Sequence, residues 1–174
     1  QDAMVQVKND CWIEYDGVLW NQIEIRALKA VKDVCLKVRM PEARAPFIHG
    51  SADGFGAGGG FTSTVAESKR YHFYPVIWLG DQERGLAWFA ESRAGWRTSN
   101  RKPIHIVKEN GEVTLTISLA DKLNPGTSLS IGFGLVATPV KPLPANYPLN
   151  TFGYRWSKNH NELVKDPTCK IVLN

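Results

Sequence analysis

Between residues 112 and 119, Val113, Leu115, Ile117 and Leu119 alternate with Thr114, Thr116 and Ser118. That is the period of a strand with one buried and one wet face. Residues 104–109 precede it across Asn110-Gly111, and segments 11–15 and 18–27 flank Asp16-Gly17. Both dipeptides favour tight hairpin turns, because their residues tolerate positive φ. Segment 34–40 alternates less cleanly, and 129–137 is apolar with Gly132 and Gly134 inside it. A glycine within a strand marks a bulge or a close approach of backbone. Two further strands, 71–79 and 85–91, are joined by a turn at 80–84. No apolar helical period runs beyond about two turns, and a single helical turn is expected at 120–123. The pattern predicts an all-β chain, an antiparallel two-sheet β-sandwich (galactose-binding/lectin-like or a similar jelly roll) of about eight to ten strands with few or no helices.

Two segments stand apart from this alternation. Residues 50–60 are glycine-rich but lack the Gly-Lys-Ser/Thr ending and following helix of a phosphate loop, so a long hairpin loop is expected. Pro139, Pro142, Pro144 and Pro148 crowd the stretch after Ala137, where missing N–H groups forbid a central strand. The domain is therefore expected over 1–144, with 145–174 as an extended linker or lead-in to a further domain.

The length of 174 residues fits one domain with a sizeable core. Twenty-one basic against 17 acidic residues leave a net charge of +4, with the signs interspersed. No basic stripe or recognisable module points to nucleic acid. Cys11, Cys35 and Cys169 have no metal-ligand spacing. The first two fall in strand-like segments and read as small buried side chains, while one disulfide plus a free thiol stays open. No apolar run reaches the roughly 18 residues of a spanning helix, so no membrane insertion is expected. A start at Gln1 without methionine suits a removed export signal or a trimmed chain, and the last residues read as a chain cut mid-course.

Candidate chemistry concentrates between Trp78 and Trp96, where Trp78, Trp88 and Trp96 sit near Asp81, Glu83, Glu91, Arg84, Arg93 and Arg97. Rings beside fixed polar groups suit sugar binding and equally suit the core and rim of a sandwich. Asp81 and Glu83 read as a solvated hairpin tip. Glu91, beside Arg93 and Arg97, reads as a structural ion pair rather than a general acid. His72 and His105 read as structural strand histidines, and no Gly-x-Ser-x-Gly elbow or zinc spacing is present. By parity, His72, Tyr74, Val76 and Trp78 share one face and Tyr71, Phe73, Pro75, Ile77 and Leu79 the other. Since both faces are apolar, one meets the core and the other is covered or binds something. Trp88 reads as core and Trp96 as the best exposed or interfacial ring. The sites expected for carbohydrate binding or interdomain contact are Trp96, Arg97, Glu91 and Trp88, with no catalytic residue, metal or cofactor.

The run from Trp78 to Trp96, Trp-Leu-Gly-Asp-Gln-Glu-Arg-Gly-Leu-Ala-Trp-Phe-Ala-Glu-Ser-Arg-Ala-Gly-Trp, resembles a signature of the N-terminal β-sandwich domain of glycoside hydrolase family 123 and its bacterial relatives. Gly134-Leu-Val-Ala-Thr-Pro-Val-Lys-Pro142 resembles the end of that sandwich. Glu14-Tyr-Asp-Gly17 and Val38-Arg-Met-Pro41 fit the same layout. The resemblance spans about residues 7–144 and implies a non-catalytic accessory domain that packs against a (β/α)8 barrel of the same chain. The family's catalytic Asp-Glu pair, which assists attack by the substrate's own acetamido group, would lie in that barrel and maps to no position here. The parent would be a secreted, periplasmic or cell-surface bacterial protein, N-acetylhexosaminidase-like, with glycans as further partners. The alternative is a carbohydrate-binding module that uses exposed tryptophans.

Overall fold

A computed structural model of the chain describes residues 3–14, 16–51 and 60–139. The expected linker or lead-in at 145–174, most of the glycine-rich loop and Cys169 lie outside the described residues. Seven strands form one antiparallel sheet: in spatial order β1 (Val5–Ile13), β2 (Leu19–Ala27), β11 (Ser128–Thr138), β8 (Gly85–Phe89), β7 (Val76–Gly80), β4 (Phe47–Ser51) and β5 (Phe61–Thr64). Four more form the second: β3 (Val31–Pro41), β10 (Glu112–Leu123), β9 (Ile104–Glu109) and β6 (Ser68–Tyr71). The expected all-β two-sheet sandwich is what forms. The eleven strands among the described residues exceed the expected number, because short pieces such as β5 and β6 carry too few residues to show a period.

The hairpins follow their turn chemistry. Asn110 and Gly111 take φ of 52° and 78°, which lets β9 and β10 pair from Glu109↔Glu112 onward. Gly17, at φ 92°, turns β1 into β2, whose ladder begins at Ile13↔Leu19.

Between the sheets, Ile77, Leu79, Trp88, Ile131 and Phe133 meet Ile104, Ile106, Val113, Leu115 and Ile117, all nearly inaccessible. Burying each such side chain stabilises the fold by about 1.5–3 kcal/mol before the entropy of ordering it is counted.

Three expectations change. Residues 120–123 extend β10 rather than coil, pairing as far as Leu123↔Val31 after a register shift between Ser118 and Ala120. The bulge interrupts the alternation there, so Leu119 and Ala120 are both buried and imitate a helical turn in sequence. Segment 71–79 divides, since Tyr71 ends β6 in one sheet and Val76 opens β7 in the other. Cys11 and Cys35 are exposed rather than buried. Cys35 points outward in register with Ser118. Cys11 shares the inward parity of β1, but there the wider sheet projects past its narrower partner.

Candidate functional site

The tryptophans divide between the interior and an outer face. Trp88 points inward from β8 and is 2% exposed. Trp96 lies 6.4 Å from it and meets Phe73 edge-on at 5.5 Å. The Arg93 guanidinium stands 5.6 Å from the Trp96 ring, within cation–π range. Trp96 is thus half-buried and closes one end of the core.

Segment 96–99 is held to β10 at its bulge. The Arg97 N–H donates to the Leu119 carbonyl at 2.7 Å, and Arg97 forms an isolated parallel bridge with Ala120. The Asp121 carboxylate accepts from the Ser99 N–H at 2.8 Å, and from the Ser99 and Thr98 hydroxyls at 2.7 Å each. These bonds, the backbone one foremost, hold the Asp121 pKa below its ordinary value. The Arg97 and Glu91 side chains are exposed. Among the described residues Glu91 has no ion pair with Arg93 or Arg97, which corrects that expectation. Arg93 instead donates to the Thr98 carbonyl at 3.2 Å. Among the described residues the buried Trp88 Nε1–H and Arg93 Nε–H have no acceptor.

Asp81 is a turn acid, as expected. Its carboxylate accepts the Glu83 and Arg84 N–H groups at 2.8 Å each and pairs with Arg44 at 3.1 Å. Those partners, the backbone donors first, lower its pKa.

One part of the outer face of the seven-stranded sheet is apolar and aromatic, while the neighbouring rows Asp10–Gln22–Gly132 and Lys8–Glu24–Ser130 are polar. Cross-strand register places Trp12, Trp20, Gly134, Phe89 and Val76 in one row. Val136, Ala87, Trp78 and His49 form the next. The rings lie on glycines. A Cβ at Gly134 would fall 2.1 Å from Phe89, and Cβ atoms at Gly80 and Gly85 within 2.3–2.4 Å of Trp78. Trp20 stands 5.9 Å from Phe89 and 6.3 Å from Trp12. The Trp78 indole N–H donates to the Thr138 hydroxyl at 2.9 Å, and that of Trp12 to the Glu14 carboxylate at 2.6 Å. Trp12 is 47% exposed. Strand parity separates Trp78 from Ile77 and Leu79 without choosing the core face. The structure turns Ile77 and Leu79 inward and leaves Trp78 and Phe89 outside, so not every ring of this hairpin builds the core. Trp12 and Trp20 were not singled out. The glycines of β11 were the available signal: a bulge or a close approach of backbone is the expectation at Gly132 and Gly134, and what approaches instead is side chains, Trp20 and Gln22 at the first and Phe89 at the second.

The outer face of the four-stranded sheet is of the other kind. Rows Arg39–Thr114–Val107–Ser68 and Lys37–Thr116–His105–Arg70 cross it beneath a hollow of about 730 Å³. His105 shares a hydrogen bond with the Ser68 hydroxyl at 3.0 Å, as a structural strand histidine should. Burial, and then the Arg70 charge, lower its pKa. Among the described residues no group of His, Cys, Asp and Glu could hold a metal, and no helix is long and apolar enough to cross a membrane.

A two-sheet antiparallel sandwich with one aromatic and one polar outer face is the class of domain that the fold defines. Residues 1–92 match the family described as Glycoside hydrolase 123, third domain, and the chain belongs to that family. The family is the one that the Trp78–Trp96 motif implied; its description numbers the domain third, where the resemblance had it N-terminal. No curated protein matches the chain.

Proposed function

We propose that this chain is a non-catalytic accessory sandwich of a larger glycoside hydrolase and packs the outer face of its seven-stranded sheet against the catalytic domain of the same protein. The observation that carries the reading is the row Trp12, Trp20, Phe89 and Val76 with Trp78 beside it. A sandwich needs one apolar face per sheet, and a second contiguous one in water favours association. Membership of a family described as a third domain of glycoside hydrolase 123 supports a partner within the same protein. Glu91, exposed just past β8, borders this contact as polar rim and Trp88 supports it from within, while Trp96 packs beside Trp88 and Arg97 is held to β10 of the other sheet. A secreted or periplasmic bacterial parent suits this role.

Mixing the 174-residue chain with the separately produced catalytic domain tests it by calorimetry. Binding is expected, and Trp20→Asp with Phe89→Asp is expected to abolish it. Unchanged binding by that variant, or turnover of an aryl N-acetylhexosaminide by the chain alone, overturns the reading.

A further inference from the structure

We propose that the outer face of the four-stranded sheet is a binding site for an acidic saccharide, one whose sugar rings carry carboxylate or sulfate groups. Lys37 and Arg39 project from one edge strand and Arg70 from the other, with Thr114, Thr116 and His105 between them. Three strand spacings separate β3 from β6, about 14 Å, so the cations bracket a hydroxyl-lined floor. Among the described residues Lys37, Arg39 and Arg70 make no ion pair, and the Thr114 and Thr116 hydroxyls make no hydrogen bond. A guanidinium takes a carboxylate or sulfate through paired N–H donors, and free threonine hydroxyls suit ring hydroxyls as both donors and acceptors. Among the described residues no Trp, Tyr or Phe lines the hollow, so recognition here is polar rather than by stacking on a large ring.

The acids around this face limit what it can hold. Glu109 and Glu112 flank the Asn110-Gly111 turn at one end, and Asp33 and Asp121 stand at the other. Asp121 already accepts three hydrogen bonds from Thr98 and Ser99. A long phosphate polyanion running along the strands would meet carboxylates at both ends. A short acidic oligosaccharide lying across them would not. The site is on the sheet opposite the aromatic face and is independent of docking there.

The test is titration of the full chain by NMR and calorimetry with an oligogalacturonide, a sulfated oligosaccharide, a neutral galacto-oligosaccharide and a poly-aspartate peptide. The two acidic sugars are expected to shift the Thr114, Thr116 and His105 amides and to weaken with salt, and the comparison between them assigns carboxylate or sulfate. The neutral sugar should shift nothing. Arg39→Gln with Arg70→Gln should weaken binding about tenfold or more while leaving catalytic-domain binding unchanged. Equal affinity in that variant, shifts confined to the Trp20 and Phe89 face, or poly-aspartate binding as tightly as the sugars overturns the proposal.

Discussion

The two outward faces of this sandwich obey the same alternation and end with opposite chemistry. On β10 the residues facing away from the core between Val113 and Leu119 are small and polar: Thr114, Thr116 and Ser118. On β7 and β8 the outward positions are Val76, Trp78, Ala87 and Phe89. The first face is what water asks of a sheet packed on one side only. The second asks for a partner, and glycines at Gly80, Gly85 and Gly134 let its rings lie down on the backbone. Strand period therefore reports where the core is, whereas the departure of the outer residues from polarity reports where the molecule meets something else.

The strongest perturbation lies in the core that both faces share. Trp88→Ala is expected to cost about 3–5 kcal/mol in urea unfolding. Trp88→Phe should cost far less, because it also removes the buried indole N–H, which finds no acceptor among the described residues. Equal losses would show that the N–H has a partner after all.

Next come the ring seats. Gly134→Ala, whose Cβ would meet Phe89 at 2.1 Å, should lose about 1–3 kcal/mol and weaken catalytic-domain binding as the ring lifts. Thr114→Val on the opposite face should stay within about 0.5 kcal/mol and leave that binding alone. Similar effects on the two faces would erase the distinction between them.

The smallest effects are those of pH. The folded-state pKa of Asp121 is lowered by its three hydrogen bonds. Its contribution is therefore full above the unfolded carboxylate value and lost as pH falls through the folded one. His105 is also lowered, by burial and then Arg70. The unfolded chain takes up that proton first, so stability should decline as pH drops below the ordinary histidine value of 6.5 and level off below the folded value. His105→Gln should flatten this step and Asp121→Asn the acidic one, both read from unfolding midpoints against pH.

Much of the fold was legible from the turns and from β10. Asn110-Gly111 and Asp16-Gly17 set two hairpins, and the Val113–Leu119 alternation set the orientation of a whole strand. Trp88 was legible as core from its neighbours. Trp96 was not legible as a half-buried plug, because that depends on Phe73 and Arg93 arriving from other segments. Cys11 misled for a related reason: its parity is inward, and only the unequal widths of the sheets leave it exposed. The aromatic row was hidden since its members come from β1, β2 and β8, and no single stretch of sequence holds it.

The unequal widths also set an order of opening. Among the described residues β1 pairs with β2 alone, and its inward residues Val7 and Ile13 are 57% and 73% exposed, so its ladder is backed by little burial. Local detachment of such a strand needs far less free energy than global unfolding. Amide exchange should therefore begin in β1 and reach β10 last, so that the margin bearing Trp12 is also the most yielding part of the aromatic face.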